Sequence, residues 1–370
     1  MNRICKTAAL SLTLLMALGL CSGCDRNTGE YYTETIHSEK QNVLPVEGED
    51  SGINGYYTLK GAILNMVGLG RGEDVFRVGR YSGDLEADLK LIIQEITTAE
   101  PIGIYGVSSI TVDQTRVLTY RELSVSIQYK RTAAELRSIM DIRSTYDLQS
   151  RMAALLTTMG EVRVFSVGDG IELQENIQKE VYTAWINCGA DAPGLDYAAA
   201  DFYPEGQDKA ILEICPQYID EPEVHQAKVA QIRAKGGEVA ETLRRSGRLD
   251  EQLEGLADWL MENVVYDYNA QRVVNETGGE QRKGSSYTAY GALVNGEAAQ
   301  SGFVLAASVV LEQLDVEHEV VTGYVGEDIY SWITLNDSER QILFDVTALQ
   351  NERTQRIYGS EMPEDLFLPW

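Results

Sequence analysis

The stretch VNGEAAQSGFVLAASVVLEQL, residues 294–314, does most to constrain what this chain can fold into. Asn295-Gly296 is a turn signal. Beyond it Phe303, Val304, Leu305, Val309, Val310, Leu311 and Leu314 leave little polar surface. A helix that apolar has to be covered on all sides, so the rest of the fold must wrap it. Its N-terminus, with unpaired N–H groups and the positive end of the helix dipole, favours an activated nucleophile. The residue at that place is Gln300, and a carboxamide is no nucleophile.

A chain of 370 residues, 44% of them hydrophobic, has the material for such a cover and for two domains. Its charge is strongly acidic, 31 Lys+Arg against 57 Asp+Glu for a net of −26. That balance excludes a nucleic-acid partner, whose binders carry basic patches. It also opposes broad electrostatic adhesion to anionic lipid or wall polymers. The three histidines, His37, His225 and His318, are scattered, and no pair stands at metal-ligand spacing. Neither a metal nor a cofactor is expected. The glycine-rich pieces 68–74 and 167–170 lack the strand and helix of a dinucleotide site and read as turns.

The N-terminus has the pattern of an export signal. Arg3 and Lys6 precede an apolar run, Ala8–Leu20, that is too short to span a bilayer. The run Leu20-Cys21-Ser22-Gly23-Cys24 resembles the lipobox of bacterial lipoproteins. The resemblance implies cleavage after Gly23 and lipidation of Cys24, hence an extracytoplasmic protein anchored to the bacterial cell membrane. Residues 1–23 are then the signal peptide, and 24–53 the lipidated cysteine with a polar, acidic tether. A coil of about 29 residues reaches about 30 Å. Of the remaining cysteines, Cys188 and Cys215 can pair in an exported protein; two buried thiols acting as small hydrophobes is the other reading.

Residues 54–245 read as an α+β region with a weak internal repeat. Leu85, Leu89, Ile92, Ile93 and Ile96 make one helical face. A strand is expected around 104–111, and Leu123, Val125, Ile127 and Tyr129 alternate as a second. Thr132 to Glu135 is a capping box opening the next helix. The order returns with a helical face at Ile177, Val181, Ala184 and Trp185, strands at 196–203 and 209–218, and a second box at Asp220–Glu223. Helix–strand–strand–helix thus occurs twice, with a tyrosine before each cap. Residues 233–248 read as a charged join. A C-terminal domain, 246–370, follows: a helix marked by Leu249, Leu253, Leu256 and Leu260, the polar loop 275–286, the apolar helix, and strands at 319–325, 329–335 and 341–347.

Several separate points of residues 249–347 resemble the bacterial extracytoplasmic form of the transglutaminase-like domain, a relative of papain-like cysteine proteases. They are Val265-Tyr266-Asp267 at a helix end, the Tyr287 to Tyr290 loop, Gly302-Phe303, Val321-Thr322-Gly323 and Phe344-Asp345-Val346-Thr347. The resemblance implies a cysteine at the helix mouth, a histidine before a tryptophan, and an aspartate that orients the histidine. Here those places hold Gln300, Tyr330 and Asp345. A phenol of pKa about 10 is a poor base at neutral pH, so only the orienting carboxylate survives. A hydrogen-bonded chain through the three side chains is chemically sensible.

The reading that follows is a non-catalytic binding or scaffolding protein of the envelope, for a peptide, glycan or protein partner. Tyr287, Tyr290, Gln300, Tyr330 and Trp332 would border its cleft, since amphipathic aromatics suit such ligands. The alternative is a hydrolase or acyltransferase, of amidase or protease type, built on Ser301 and Asp345. The plain role for Ser301 is to cap the helix.

Overall fold

The computed structural model describes residues 51–347 except 169, 172, 326, 327, 338 and 339, together with 357–358 and 367–369. The expected signal peptide, Cys24 and the expected tether up to residue 50 lie outside the described residues. No described helix is long and apolar enough to cross a membrane.

The alternation at 120–129 builds the first sheet. The chain runs α1 (Tyr56–Leu69), β1 (Glu73–Val78), α2 (Leu85–Thr98), α3 (Pro101–Gly106), β2 (Val107–Val117), β3 (Tyr120–Tyr129) and α4 (Ala133–Arg137). The strands pair antiparallel in the order β1-β3-β2. Leu123, Val125 and Ile127 point inward and pack with Leu59, Ile63, Ile92 and Ile96 of α1 and α2. The other face is polar, with Thr111, Asp113, Ser124 and Gln128 exposed. The strand expected from residue 104 starts instead at Val107, because Pro101 opens one more helical turn. There Gly103 lies so close to α2 that a Cβ on it would meet the Ile96 carbonyl at 1.8 Å.

The second unit runs β4 (Met140–Ile142), α5 (Thr145–Thr157), β5 (Arg163–Val167), α6 (Ile177–Ile186), β6 (Leu195–Tyr203), β7 (Ala210–Tyr218) and α7 (Pro222–Leu243), with sheet order β4-β5-β7-β6. It repeats the first unit in register. Phe76 faces Leu123 and Phe165 faces Leu212, both 89 positions later (165 less 76, 212 less 123). The bulge between Val107 and Ser109 returns between Leu195 and Tyr197, 88 positions on (195 less 107). Tyr129 donates its hydroxyl to the carbonyls of Met66 and Arg71 at the end of α1, at 3.1 and 2.8 Å. Tyr218 does the same to Leu155 and Gly160 at the end of α5, at 3.4 and 3.0 Å. The tyrosine before each cap is thus a latch on the first helix of its own unit. Burial raises the Tyr129 phenol to about 12 and pushes Tyr218 up as well.

Two local expectations are corrected. The Thr132–Glu135 box forms, with both reciprocal bonds. Its counterpart at Asp220–Glu223 does not, because Glu221 is the N-cap with no side-chain bond and Asp220 instead pairs with Lys228. The join expected at 233–248 is largely helix. α7 continues to Leu243, and Gly236 lets it approach the apolar helix so closely that a Cβ would meet Val309 Cγ1 at 2.7 Å.

The chain closes with α8 (Leu249–Asn263), β8 (Val265–Tyr266), α9 (Tyr268–Glu276), β9 (Glu297–Ala298), α10 (Gln300–Gln313), β10 (His318–Val325), β11 (Asp328–Asp337), β12 (Arg340–Phe344), β13 (Ile357–Tyr358) and β14 (Phe367–Pro369). The last five strands form an antiparallel sheet, β13-β12-β11-β10-β14. Every residue of α10 from Gln300 to Leu311 is buried. One hydrophobic core runs from Ile142 to Val346, crossing residue 245 and joining the second unit to α10 and the last sheet. The fold is α+β.

Candidate functional site

The site grows from the mouth of α10. Gly296 takes a left-handed turn, φ 72, which ends the preceding helical turn and sends β9 alongside β8. Asp267 caps α9 through the Ala270 N–H at 3.0 Å, and α9 carries Gln271. The Gln271 side-chain oxygen, Oε1, accepts the backbone N–H of Gln300 at 3.2 Å. One of the orphan donors at the helix mouth is therefore met by a neutral amide.

The Gln300 side chain reaches across to β11. Its carbonyl accepts the Ser331 N–H at 3.1 Å, and its amide donates to the Ser331 carbonyl. Gln300 is 1% exposed. It pairs with the strand backbone as another strand would, and both backbone polar groups of Ser331 are met.

Tyr330 and Asp345 lie against each other. The phenol donates to the carboxylate, with 3.1 Å to each oxygen, and also contacts the Thr347 hydroxyl. Asp345 further accepts the Thr347 N–H and hydroxyl, both at 3.0 Å. Burial, then the Asp345 charge, pushes the Tyr330 phenol well above its ordinary value. At neutral pH it holds its proton and acts as a donor, not a base. The expected line of three side chains is thus seen in two parts: Gln300 clamps Ser331, and Tyr330 closes on Asp345 and Thr347.

Ser301 does not cap the helix, because Ala299 is the N-cap. Its hydroxyl donates to the Tyr287 carbonyl at 3.0 Å, which turns it away from the role of a free nucleophile. Tyr287 in turn donates to the Ala270 carbonyl at 3.1 Å. The expected aromatic cleft is a packed interior at Tyr287, Gln300, Tyr330 and Trp332, all buried. The reason is physical: each phenol or amide finds an internal partner, and α10 needs cover. Tyr290 is half-buried, stacks under the Lys228 ammonium at 5.3 Å, and lines a cavity of about 110 Å³ with His225.

Sequence reasoning passed over three participants. Tyr182 on α6 meets the Ser331 hydroxyl at 3.4 Å. Thr347 completes the carboxylate's shell. Arg282, read as part of a polar loop, is buried, stacked on Tyr182 and Trp185 at 5.1 and 4.8 Å, and bonded to the Gly279 carbonyl. Burial lowers its pKa to about 10. The aromatic pair beneath it could have been noticed at 182 and 185, but nothing in the loop marks a buried cation. His318 bonds Ser308 Oγ through Nε2 at 2.8 Å and the Val316 carbonyl through Nδ1 at 2.9 Å, pinning the start of β10 to α10. Cys188 and Cys215 are free thiols, and burial raises Cys188 to about 12. Among the described residues no cluster of three or more His, Cys, Asp or Glu could hold a metal ion.

No family model matches the chain, and no curated protein matches it. Solved structures similar to it include a TGase, at TM-score 0.31 and 12% identity over 65% of this chain and 65% of that one. A candidate cysteine protease from Cytophaga hutchinsonii is similar at TM-score 0.25 and 12% identity, over 45% of this chain and 65% of that one. A candidate protease from Parabacteroides distasonis is similar at TM-score 0.21 and 9% identity, over 77% and 64%. The chain spans about 65% of the length of the first of these.

Proposed function

We propose that this is a membrane-anchored extracytoplasmic lipoprotein whose C-terminal region is a transglutaminase-like domain that has given up catalysis and serves as a scaffold or binding protein of the envelope. The observation that carries the reading is the Gln300 clamp on Ser331. An acyl-transfer enzyme of this kind needs a thiolate at the helix mouth and an imidazole opposite it. Both places hold side chains engaged in internal bonds, and the surviving carboxylate orients a phenol. With the aromatic interior filled, partner contact falls to the outer surface, including the two N-terminal units. Cys24 supplies the anchor, and multiple acyl chains on it hold firmly because each buried CH₂ adds about 0.8 kcal/mol.

The test is turnover of the full chain on peptide, amide and ester substrates. The reading expects none above buffer. Turnover that disappears in Ser301→Ala or Asp345→Ala would overturn it. Metabolic labelling with a palmitate analogue tests the anchor separately: the label is expected on the parent chain and absent from Cys24→Ser.

A further inference from the structure

The tip of the first unit carries a basic and apolar cluster on a strongly acidic protein. β2 and β3 turn at Leu118-Thr119, and Leu118 is fully exposed at 103%. Just behind it Arg116 and Arg121 stand directly opposite each other in the strand register, both exposed. Like charges directly opposite destabilise a strand pair, so the hairpin by itself gains nothing from them. Exposed Arg80 follows β1, whose last residue, Val78, pairs with Arg121. Arg77 lies 5.6 Å over the Tyr120 ring and 3.9 Å from Glu122, fixing the base of the tip. Beneath it a cavity of about 610 Å³ is lined by Arg116, Arg121, Tyr120, Thr119 and Tyr81. Asp84 also lines it, with its carboxylate accepting the Glu86 and Ala87 N–H groups at the start of α2.

The second unit has a smaller cavity, of about 410 Å³, at the equivalent place, with different chemistry. Val167 takes the place of Val78, and the lining includes Ile171, Leu173, Gln174, Glu175 and Asp208 and, among the described residues, holds no Arg or Lys. The basic character therefore belongs to one copy and not to the fold. That copy is the one the tether enters: the Ser51 N–H donates to the Arg77 carbonyl at 3.1 Å, and Ser51 Oγ accepts the Arg77 N–H at 2.8 Å. Ser51 follows Cys24 by 27 positions (51 less 24), and a chain of that length has a random-coil reach of about 30 Å, so an anchor at Cys24 would keep this region within reach of the bilayer.

We propose that the β2–β3 tip docks on anionic lipid headgroups of the membrane that holds the anchor. Leu118 enters the headgroup layer, and Arg116, Arg121 and Arg80 meet the phosphates. The inference rests on the lipoprotein reading for its geometry, and its test is independent of it. Full chain carrying Cys24→Ser, which cannot be acylated, is floated with phosphatidylcholine vesicles that contain or lack phosphatidylglycerol. Binding to the phosphatidylglycerol vesicles is expected at low salt and weakens as salt is raised. Arg116→Glu with Arg121→Glu is expected to weaken it at least about tenfold, since each basic residue near an anionic surface matters several-fold. Leu118→Asp is expected to weaken it less. Binding to neutral vesicles, including any from the apolar N-terminus, is expected to be the same for parent and variants. Equal binding of parent and double variant to phosphatidylglycerol vesicles would overturn the proposal. Displacement by millimolar inorganic phosphate would also overturn it, by showing a free-anion site. A chain that docks as described but takes no palmitate label leaves this inference standing and removes the anchor.

Discussion

Phe76 and Phe165 hold the same place in two copies of one unit, facing Leu123 and Leu212 across the same strand pair. The first is half-buried, and the second is fully buried in the core shared with α10. The two copies keep the backbone register and the tyrosine latch, while their outer faces differ. In the first sheet that face is polar, with Ser124 at its centre. In the second the equivalent residue is Glu213, 89 positions on (213 less 124), buried against α3. It receives Arg131 at 2.8 Å and the hydroxyls of Tyr105 and Tyr203 at 3.4 Å each, all beside Leu136, Val164 and Ile211. A shared backbone therefore sets where side chains point, and the neighbour each copy meets decides what they become.

The largest effect that would sharpen this comparison is in the cores. Phe165→Ala is expected to destabilise by about 3–5 kcal/mol, and Phe76→Ala by less than half of that. Urea unfolding measures both, and equal losses would break the assignment of Phe165 to the larger core. Next comes the exchange of outer-face residues. Glu213→Ser leaves Arg131 and two phenols short of their acceptor and is expected to cost about 2–4 kcal/mol. The reverse change, Ser124→Glu, lies on an open surface and is expected within about 0.5 kcal/mol. A large cost at Ser124 would mean that the first sheet is covered too.

The latches should be alike. Tyr129→Phe and Tyr218→Phe are each expected to cost about 1 kcal/mol, and the pair should add, being in separate units. The smallest effect is one of pH. His225 on α7 stands where the first unit has Leu136, 89 positions earlier (225 less 136), and both are buried. Burial lowers the His225 pKa below 6.5. The unfolded chain then takes up the proton first, so stability is full above about pH 6.5 and falls as pH drops toward the folded value. Melting temperature followed from pH 7.5 to 5.5 should lose part of its slope in His225→Leu. An unchanged slope would assign the acid loss to other groups.

Much of the architecture is legible in the sequence because it is local. Alternation at 123–129, the Thr132 box and the run at 303–311 each carry their own periodicity. What escapes is set by distance in the chain. α7 passes through a charged, glycine-containing stretch because Gly236 is needed against Val309, a contact invisible to local pattern. At the site, the convergence of Tyr330 and Asp345 could be expected from the motif, whereas the partner of Gln300 could not. A backbone peptide leaves no mark in sequence, and Ser331 is chosen by the register of β11. The aromatic residues read as a cleft are interior for the same reason: amphipathic side chains look alike in sequence whether their polar end meets a ligand or a carbonyl.

The proposal that a catalytic line has become a structural one is tested most directly by Gln300→Ala. If the glutamine fastens α10 to β11, its loss strands the Ser331 N–H and carbonyl in the interior, at a cost of about 2–4 kcal/mol. A chain of this size should then melt a few degrees lower, at about 1.5 °C per kcal/mol. A melting temperature unchanged or raised by Gln300→Ala would contradict the account, because residues kept for catalysis are commonly held against stability, not for it.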